Sequence, residues 1–268
     1  MRLVSIIIPT FGKKGLDLTI QCLKSIEKVA HDSLSEIIVV DDGSEINDFK
    51  KILEEELPDV RYFDKKYLIK EGNTGFCRTC NVGIENARKE NDIILLNNDT
   101  IAENDFITLL RNFAYKNDEI GIVGPKLIYP DGLGIQSAGS FLPTGMIWFD
   151  HIGRFKPIGD PKFNKNYECV GVTGACMYIK RDVIDKIGPL DTEFPMTFED
   201  ADYCLRAKEA GFEIWYNYEP LLTHLENATK SAKTDMMQIA VTKFWKRYKV
   251  AYDDNKKGII VRRYQKSI

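Results

Sequence analysis

Glu199, Asp200 and Asp202 place three carboxylates within four positions of the segment Thr197–Arg206. The first N–H groups of a helix lack intrahelical partners, so one acid at such a place can serve as a cap. Three exceed what capping needs. Crowded carboxylates raise one another's pKa, which can make one of them a general base near neutral pH. A second polar cluster, Asn97-Asn98-Asp99-Thr100, follows the apolar run Ile93–Leu96. Its plain role would be to cap a helix starting near Asn104. Its chemical role would be to hold magnesium or manganese on a diphosphate, because hard divalent cations take oxygen ligands and neutralise charge on a phosphate leaving group.

Other segments supply parts that such chemistry needs. Asp41-Asp42-Gly43-Ser44 reads either as a turn with a cap or as a strand end whose aspartate accepts a hydrogen bond from a nucleobase N–H. Gly72-Asn73-Thr74-Gly75, with Asn81-Val82-Gly83 following, has the look of an anion-binding helix start. Its spacing is neither a P-loop nor a dinucleotide fingerprint. Gly132–Ser137 imitates that fingerprint but lacks its last glycine and its helix, so it reads as a turn. Cys77-Arg78-Thr79-Cys80 stands without a second ligand pair, which points to buried thiols rather than zinc. His224 follows Leu221-Leu222-Thr223. A lone histidine is more often structural, but the other clusters make this one a candidate ligand. Trp148, Phe149 and His151 are candidates for acceptor stacking or for core.

The elements that must position these residues alternate. Strand signals at Val4–Ile8, Glu36–Val40, Val60–Phe63 and Asp92–Leu96 are separated by helical patterns at Leu16–Ile26, Ile46–Leu57 (stopped by Pro58) and Phe76–Arg88, with Phe106–Tyr115 after the last. Such alternation implies an α/β fold with a mostly parallel central sheet flanked by helices. Ligands of these sheets bind beyond the carboxyl ends of the strands, where the polar clusters fall. Past residue 120 the expected elements are a strand at Gly121–Ile128, loops and short strands over 132–170, a strand at Ala175–Ile179 and a short helix at Asp182–Ile187. The acidic cluster and its helix follow, then Gly211 as a C-cap and a strand at Ile214–Tyr216. Met237, Val241, Phe244 and Tyr248 mark a C-terminal amphipathic helix, and Lys256–Ile268 is expected to be loosely held. The domain expectation is residues 1–232 as one unit, with a nucleotide-binding half (1–120) and an acceptor-binding half (121–232), followed by a helix and basic tail over 233–268.

With 268 residues, 44% of them hydrophobic, the chain can bury a large core. A net charge of −3 implies no bulk attraction to nucleic acid. No apolar run approaches the length of a membrane span, and Met1–Ile8 does not have the form of a signal peptide. A cytoplasmic location is therefore expected, possible contact with the inner membrane face coming from the basic C-terminal helix with Phe244, Trp245 and Tyr248. The alternative is that this helix packs on the domain.

Taken in order, these motifs resemble glycosyltransferase family 2, inverting nucleotide-sugar transferases with a GT-A fold, over about residues 3–230. Val4–Thr10 resembles the opening strand and its base-contacting turn, and Val39–Ser44 the nucleoside-binding strand end. Asn73-Thr74-Gly75 with Asn81-Val82-Gly83 is similar to the family's paired Asn-x-Gly elements. Leu95–Thr100 occupies the place of the D-x-D metal motif, with Asn97 where an aspartate often stands. Thr197–Asp200 resembles the E-D element. The resemblance implies Asp200 as base and Glu199 as its acceptor-positioning neighbour. It implies Pro9, Thr10, Phe11, Asp42, Asn73, Gly75, Arg78, Asn98 and Asp99 around the nucleotide sugar, and Asp99 with His224 on a divalent metal ion (Mn2+ or Mg2+). Trp148 and Gly174 are acceptor candidates. The amide-containing motif, Ile135–Gly139 and Gly174-Ala175-Cys176 are similar to bacterial rhamnosyltransferase-like members. The implied reaction moves a sugar from a UDP- or dTDP-linked donor to a glycan or lipid-linked acceptor. The rival readings are a sugar-1-phosphate nucleotidyltransferase, for which Phe11–Gly15 is a poor phosphate loop, and a sugar-nucleotide-binding protein with a decayed site.

Overall fold

The computed structural model describes residues 1–29, 32–57, 63–141, 150–195, 197–226, 234–253 and 258–263. The first half alternates as its sequence requires: β1 (Val4–Thr10), α1 (Gly12–Val29), β2 (Leu34–Asp41), α2 (Phe49–Glu56), β3 (Asp64–Ile69), α3 (Phe76–Asn86) and β4 (Asp92–Leu96). Next come β5 (Thr100–Ala102), α4 (Phe106–Ala114), β6 (Ile120–Ile128), β7 (Ile135–Ser137), β8 (Ser140–Phe141), β9 (Asp150–His151), β10 (Tyr167–Glu168) and β11 (Cys176–Ile179). The chain continues through α5 (Arg181–Ile187), α6 (Glu199–Glu209), β12 (Glu213–His224), α7 (Thr234–Arg247), β13 (Tyr248–Asp253) and β14 (Gly258–Arg263).

One sheet runs β10-β12-β6-β11-β4-β1-β2-β3, with β5 added to β12 and β7 to β6. Its parallel pairings are β1 with β2 and β4, β2 with β3, and β12 with β6. The strand β11 lies between β4 and β6 and runs against both. The start of β11 therefore reaches the same sheet edge as the carboxyl ends of β1, β2 and β4. The expected halves 1–120 and 121–232 share this single sheet.

Strands buried on both faces need apolar side chains in succession. In β1, Val4, Ile6 and Ile8 join Leu16, Leu23, Ile26 and Leu110 on one face, while Ile7 joins Cys80 and Ile84 on the other. Gly83 lets α3 approach β1, since a Cβ there would lie 2.2 Å from Ile7 Cγ2.

Four expectations are corrected. The third strand is β3, one step beyond the expected Val60–Phe63; Val60–Tyr62 and Pro58 lie outside the described residues. As an edge strand with charged, half-exposed residues, β3 carries a weak apolar signal. The helix expected from Ile46 starts at Phe49, because Glu45 and Asp48 adopt left-handed backbone with φ of 55° and 57°. The strand expected at Ile214–Tyr216 runs on to His224 through a register shift between Tyr216 and Leu221. Part of the tail thought loose is β14, paired antiparallel with β13.

The C-terminal helix packs on the domain. Phe244 and Tyr248 are buried against Phe194 and Phe198, and Arg247 pairs with Asp191, Asp202 and Glu193. Phe244 and Tyr248 are thus turned to the domain and Trp245 is partly buried, while Lys243 and Lys246 remain exposed. Among the described residues no helix is long and apolar enough to cross a membrane.

Candidate active site

A cavity opens at the sheet edge where β1, β2 and β4 end. Pro9, Thr10, Phe11, Asp42, Asn73 and Gly75 line one side. Phe11 is half exposed at its lip. Asp42 follows β2 and is anchored by the next loop: its Oδ1 accepts from Thr74 N at 2.9 Å and its Oδ2 from Gly75 N at 2.9 Å. The Lys70 ammonium donates to the same carboxylate. Gly43 makes the turn possible, with φ of 77° and no room for a Cβ, which would sit 2.4 Å from Gly72 Cα. Asp41 accepts from Ser44 N at 3.0 Å and closes the turn, while Asp42 turns to the cavity.

Asn98 lines the cavity, but its amide nitrogen points into the fold, donating to Gly15 O at 2.9 Å and Thr10 Oγ1 at 3.1 Å. It fastens the end of β4 to the start of α1. Arg78 is exposed on α3 and is not among the residues that line the cavity. Cys77 and Cys80 are free and buried, and burial pushes the Cys77 thiol up to about 12, as expected of inert thiols.

The middle of the cavity is built by strand register. Thr100 of β5 pairs with His224 of β12, and Leu225 N donates to Asp99 O at 2.9 Å. This ladder sets His224 Nε2 3.1 Å from Asp99 Oδ1 and 3.4 Å from Asn97 Nδ2. On the other side of the ring, His224 Nδ1 lies 2.6 Å from Gln136 Oε1, while Gln136 Nε2 donates to His224 O at 3.2 Å. An Nδ1–H held by Gln136 leaves Nε2 as the nitrogen able to ligate. Asn97 Oδ1 is buried with no hydrogen-bond partner among the described residues. A carboxylate, an imidazole nitrogen and an unpartnered amide oxygen fit a divalent cation. Among the described residues no three His, Cys, Asp or Glu side chains converge, so the donor set is partial.

The far wall holds the acidic cluster. Glu199, Asp200 and Asp202 lie inside the first turn of α6, not before it, and Phe198 makes the entry with φ of 69°. Glu199 and Asp200 line the cavity. Asp200 Oδ2 accepts from Gly174 N at 3.0 Å, a donor delivered by the reversed strand β11. Asp202 turns away and is fully buried, accepting from Arg206 Nε at 2.8 Å, Arg247 Nη1 at 2.8 Å and Tyr248 Oη at 2.6 Å. The three acids thus divide into two that face the cavity and one that clasps α7.

His151, one of the stacking-or-core candidates, lines the cavity, as do Gln136, Thr173 and Glu226, which were not singled out as site residues by their spacing. Burial lowers the His151 pKa below its usual 6.5, against the opposing pull of Asp200. Trp148 and Phe149 lie outside the described residues.

The fold is GT-A. A crystal structure of GalNAc-T7 with UDP, GalNAc and Mn2+ superposes with a TM-score of 0.72 at 15% identity, over 91% of this chain and 48% of that one. The mannosyltransferase PcManGT from Pyrobaculum calidifontis, in complex with GDP-Man and Mn2+, gives 0.59 at 11% identity, over 89% of this chain and 60% of that one. The model of "Glycosyl transferase family 2" matches residues 5–188, and the chain belongs to that family. Its relatives include an uncharacterized protein y4gI from Sinorhizobium fredii, 30% identical over 85% of this chain and 25% of that protein. The O-antigen biosynthesis protein RfbC of Myxococcus xanthus is 28% identical over 52% of this chain and 11% of its own length. The low-salt glycan biosynthesis hexosyltransferase Agl10 of Haloferax volcanii is 25% identical over 68% of this chain and 56% of its own length. The chain therefore spans about half or less of these curated relatives.

Proposed function

We propose that this glycosyltransferase moves a hexosyl or rhamnosyl group, with inversion, from a UDP- or dTDP-linked sugar to a hydroxyl of a glycan or lipid-linked acceptor. The observation that carries the reading is one cavity lined by Asp42, by the Asp99–His224 pair and by Asp200. Pro9, Thr10, Phe11, Asp42, Asn73 and Gly75 hold the nucleoside end. Asp99, His224 and Asn97 would hold Mn2+ or Mg2+, which when bound neutralises charge on the diphosphate.

Asp200 accepts the proton of the acceptor hydroxyl. The acceptor oxygen forms its bond to the anomeric carbon as the bond from that carbon to the phosphate oxygen breaks. The electron pair of that bond leaves with the nucleoside diphosphate. Gly174 N holds Oδ2 of Asp200 in place, so the carboxylate meets the hydroxyl without reorienting. Glu199 and Gly174 form the acceptor's near wall. Six free, buried cysteines support a cytoplasmic setting. Contact with an anionic membrane face would rest on Lys243 and Lys246.

The test is a donor screen with mixed glycan acceptors, read by released nucleoside diphosphate. Asp200→Asn is expected to lower transfer by roughly 10²–10⁴-fold while leaving calorimetric nucleotide binding within twofold. Near-full transfer by that variant would refute the role of Asp200, and release of pyrophosphate from nucleoside triphosphates would refute the reaction class.

A further inference from the structure

Phe155 and Leu133 are 74% and 73% exposed, the highest values for large hydrophobics among the described residues. They share a two-stranded arm in which Phe155 N donates to Ile135 O at 2.8 Å and Ile158 N to Leu133 O at 3.0 Å. Exposed apolar residues are ordinary when scattered; two on one arm beside a cavity are not. Phe155 also holds a left-handed backbone, φ 62°, which a residue with a Cβ adopts at a cost. Neither cost is offset by burial of the ring.

The ring is nevertheless fixed. It stacks on Tyr129 with centroids 5.3 Å apart and planes 5° from parallel. The Arg154 guanidinium lies 5.3 Å from its centroid and donates through Nε to Tyr129 Oη at 3.1 Å. The same guanidinium reaches Glu226 Oε1 at 2.9 Å, and Glu226 lines the cavity. The stack is thus joined to the cavity wall through one arginine. It lies on the β6–β7–β12 side of the sheet, across the Asp99–His224 pair from Asp42 and the nucleoside end.

We infer that the Tyr129–Phe155 stack, flanked by Arg154 and Glu226, is a platform for a pyranose ring of the acceptor glycan outside the cavity. This rests on the glycosyltransferase reading above. A flat aromatic face matches the C–H face of a pyranose, and a paired cation and carboxylate at its side match the hydroxyl rim. A nucleobase offers a flat face too, but the nucleoside residues stand at the opposite side.

The test is a glycan array displaying terminal hexoses and 6-deoxyhexoses on chains of one to four units. It is probed with wild type, Phe155→Ala and Phe155→Trp in the presence of UDP and Mn2+. UDP binding is measured in parallel by calorimetry, and melting confirms folding. Wild type should capture a set of chains of two or more units. F155A should lose about tenfold in capture, the value of one aromatic contact, and F155W should restore it, with UDP binding equal in all three. An F155A profile matching wild type, no capture by a UDP-binding wild type, or weakened UDP binding in F155A each overturns the platform. Absence of binding to UDP and every other nucleotide donor by all three proteins would instead refute the transferase reading beneath it.

Discussion

Asp202 offers a sharp test of how the helix α6, which carries the proposed base, is held. Its carboxylate is fully buried two residues past Asp200 and accepts from Arg206, Arg247 and Tyr248. Asp202→Ala would take the shared acceptor from Arg206, Arg247 and the Tyr248 hydroxyl, with Arg247 still paired to Asp191 and Glu193. Removing one member of a buried charge network costs about 3–5 kcal/mol. Arg247→Met should cost less, about 1–2 kcal/mol, because Asp202 keeps Arg206 and Tyr248 and an exposed pair such as Arg247–Glu193 contributes little. Urea unfolding followed by circular dichroism gives both values by linear extrapolation. The double variant should then fall short of the sum of the singles, since the two residues share one contact. Transfer should drop in D202A even where the protein is fully folded, with UDP affinity kept, because the first turn of α6 loses its brace. An R247M loss larger than that of D202A, or strictly additive effects, would refute the view that Asp202 anchors both helices.

Two further outcomes follow from the same geometry. Gln136→Leu should lower Mn2+ affinity about 10–100-fold, read by electron paramagnetic resonance of free Mn2+, whereas Gln136→Glu should retain an acceptor for His224 Nδ1; equal affinity in wild type and Q136L would contradict the role of Gln136. Burial, opposed by Asp200, holds His151 below 6.5 in the folded state, so protons bind more readily to the unfolded chain. The contribution of neutral His151 is present above pH 6.5 and declines as pH falls below it toward the folded value. His151→Gln should therefore flatten the loss of stability between pH 7.5 and 5.5 in urea titrations.

What was legible in the sequence was what short-range pattern encodes. The apolar runs at Val4–Ile8 and Asp92–Leu96 are buried on both faces, so they announce themselves as strands. Edge strand β3 opens with Asp64, Lys65 and Lys66 before Tyr67 and Leu68, and its signal was lost to the run just before it. In the site, Asp42, Asp99 and Asp200 were legible because each follows a strand or opens a helix at a motif. Gln136 and Glu226 were not, because β7 and the residues after β12 bring them to the cavity with no fixed spacing, and His151 was legible only as one of three neighbouring aromatic candidates. Asp202 was readable as an acid at a helix start, but its partners Arg247 and Tyr248 lie more than forty positions away. Arg78 shows the converse: a motif position next to a helix start whose side chain points outward.

The pairing of Thr100 with His224 carries a consequence for insertions and deletions. Side chains alternate between sheet faces at every residue, so a slip of one position reverses them all. The register shift between Tyr216 and Leu221 can absorb a change in chain length, but Leu221–His224 is locked by its ladder with β5 and β6. Loss of one residue from Leu221–Thr223 would turn the imidazole to the opposite face while the sheet kept its hydrogen bonds. Within this short stretch, chain length is as strict a requirement for the proposed cation site as the identity of the histidine.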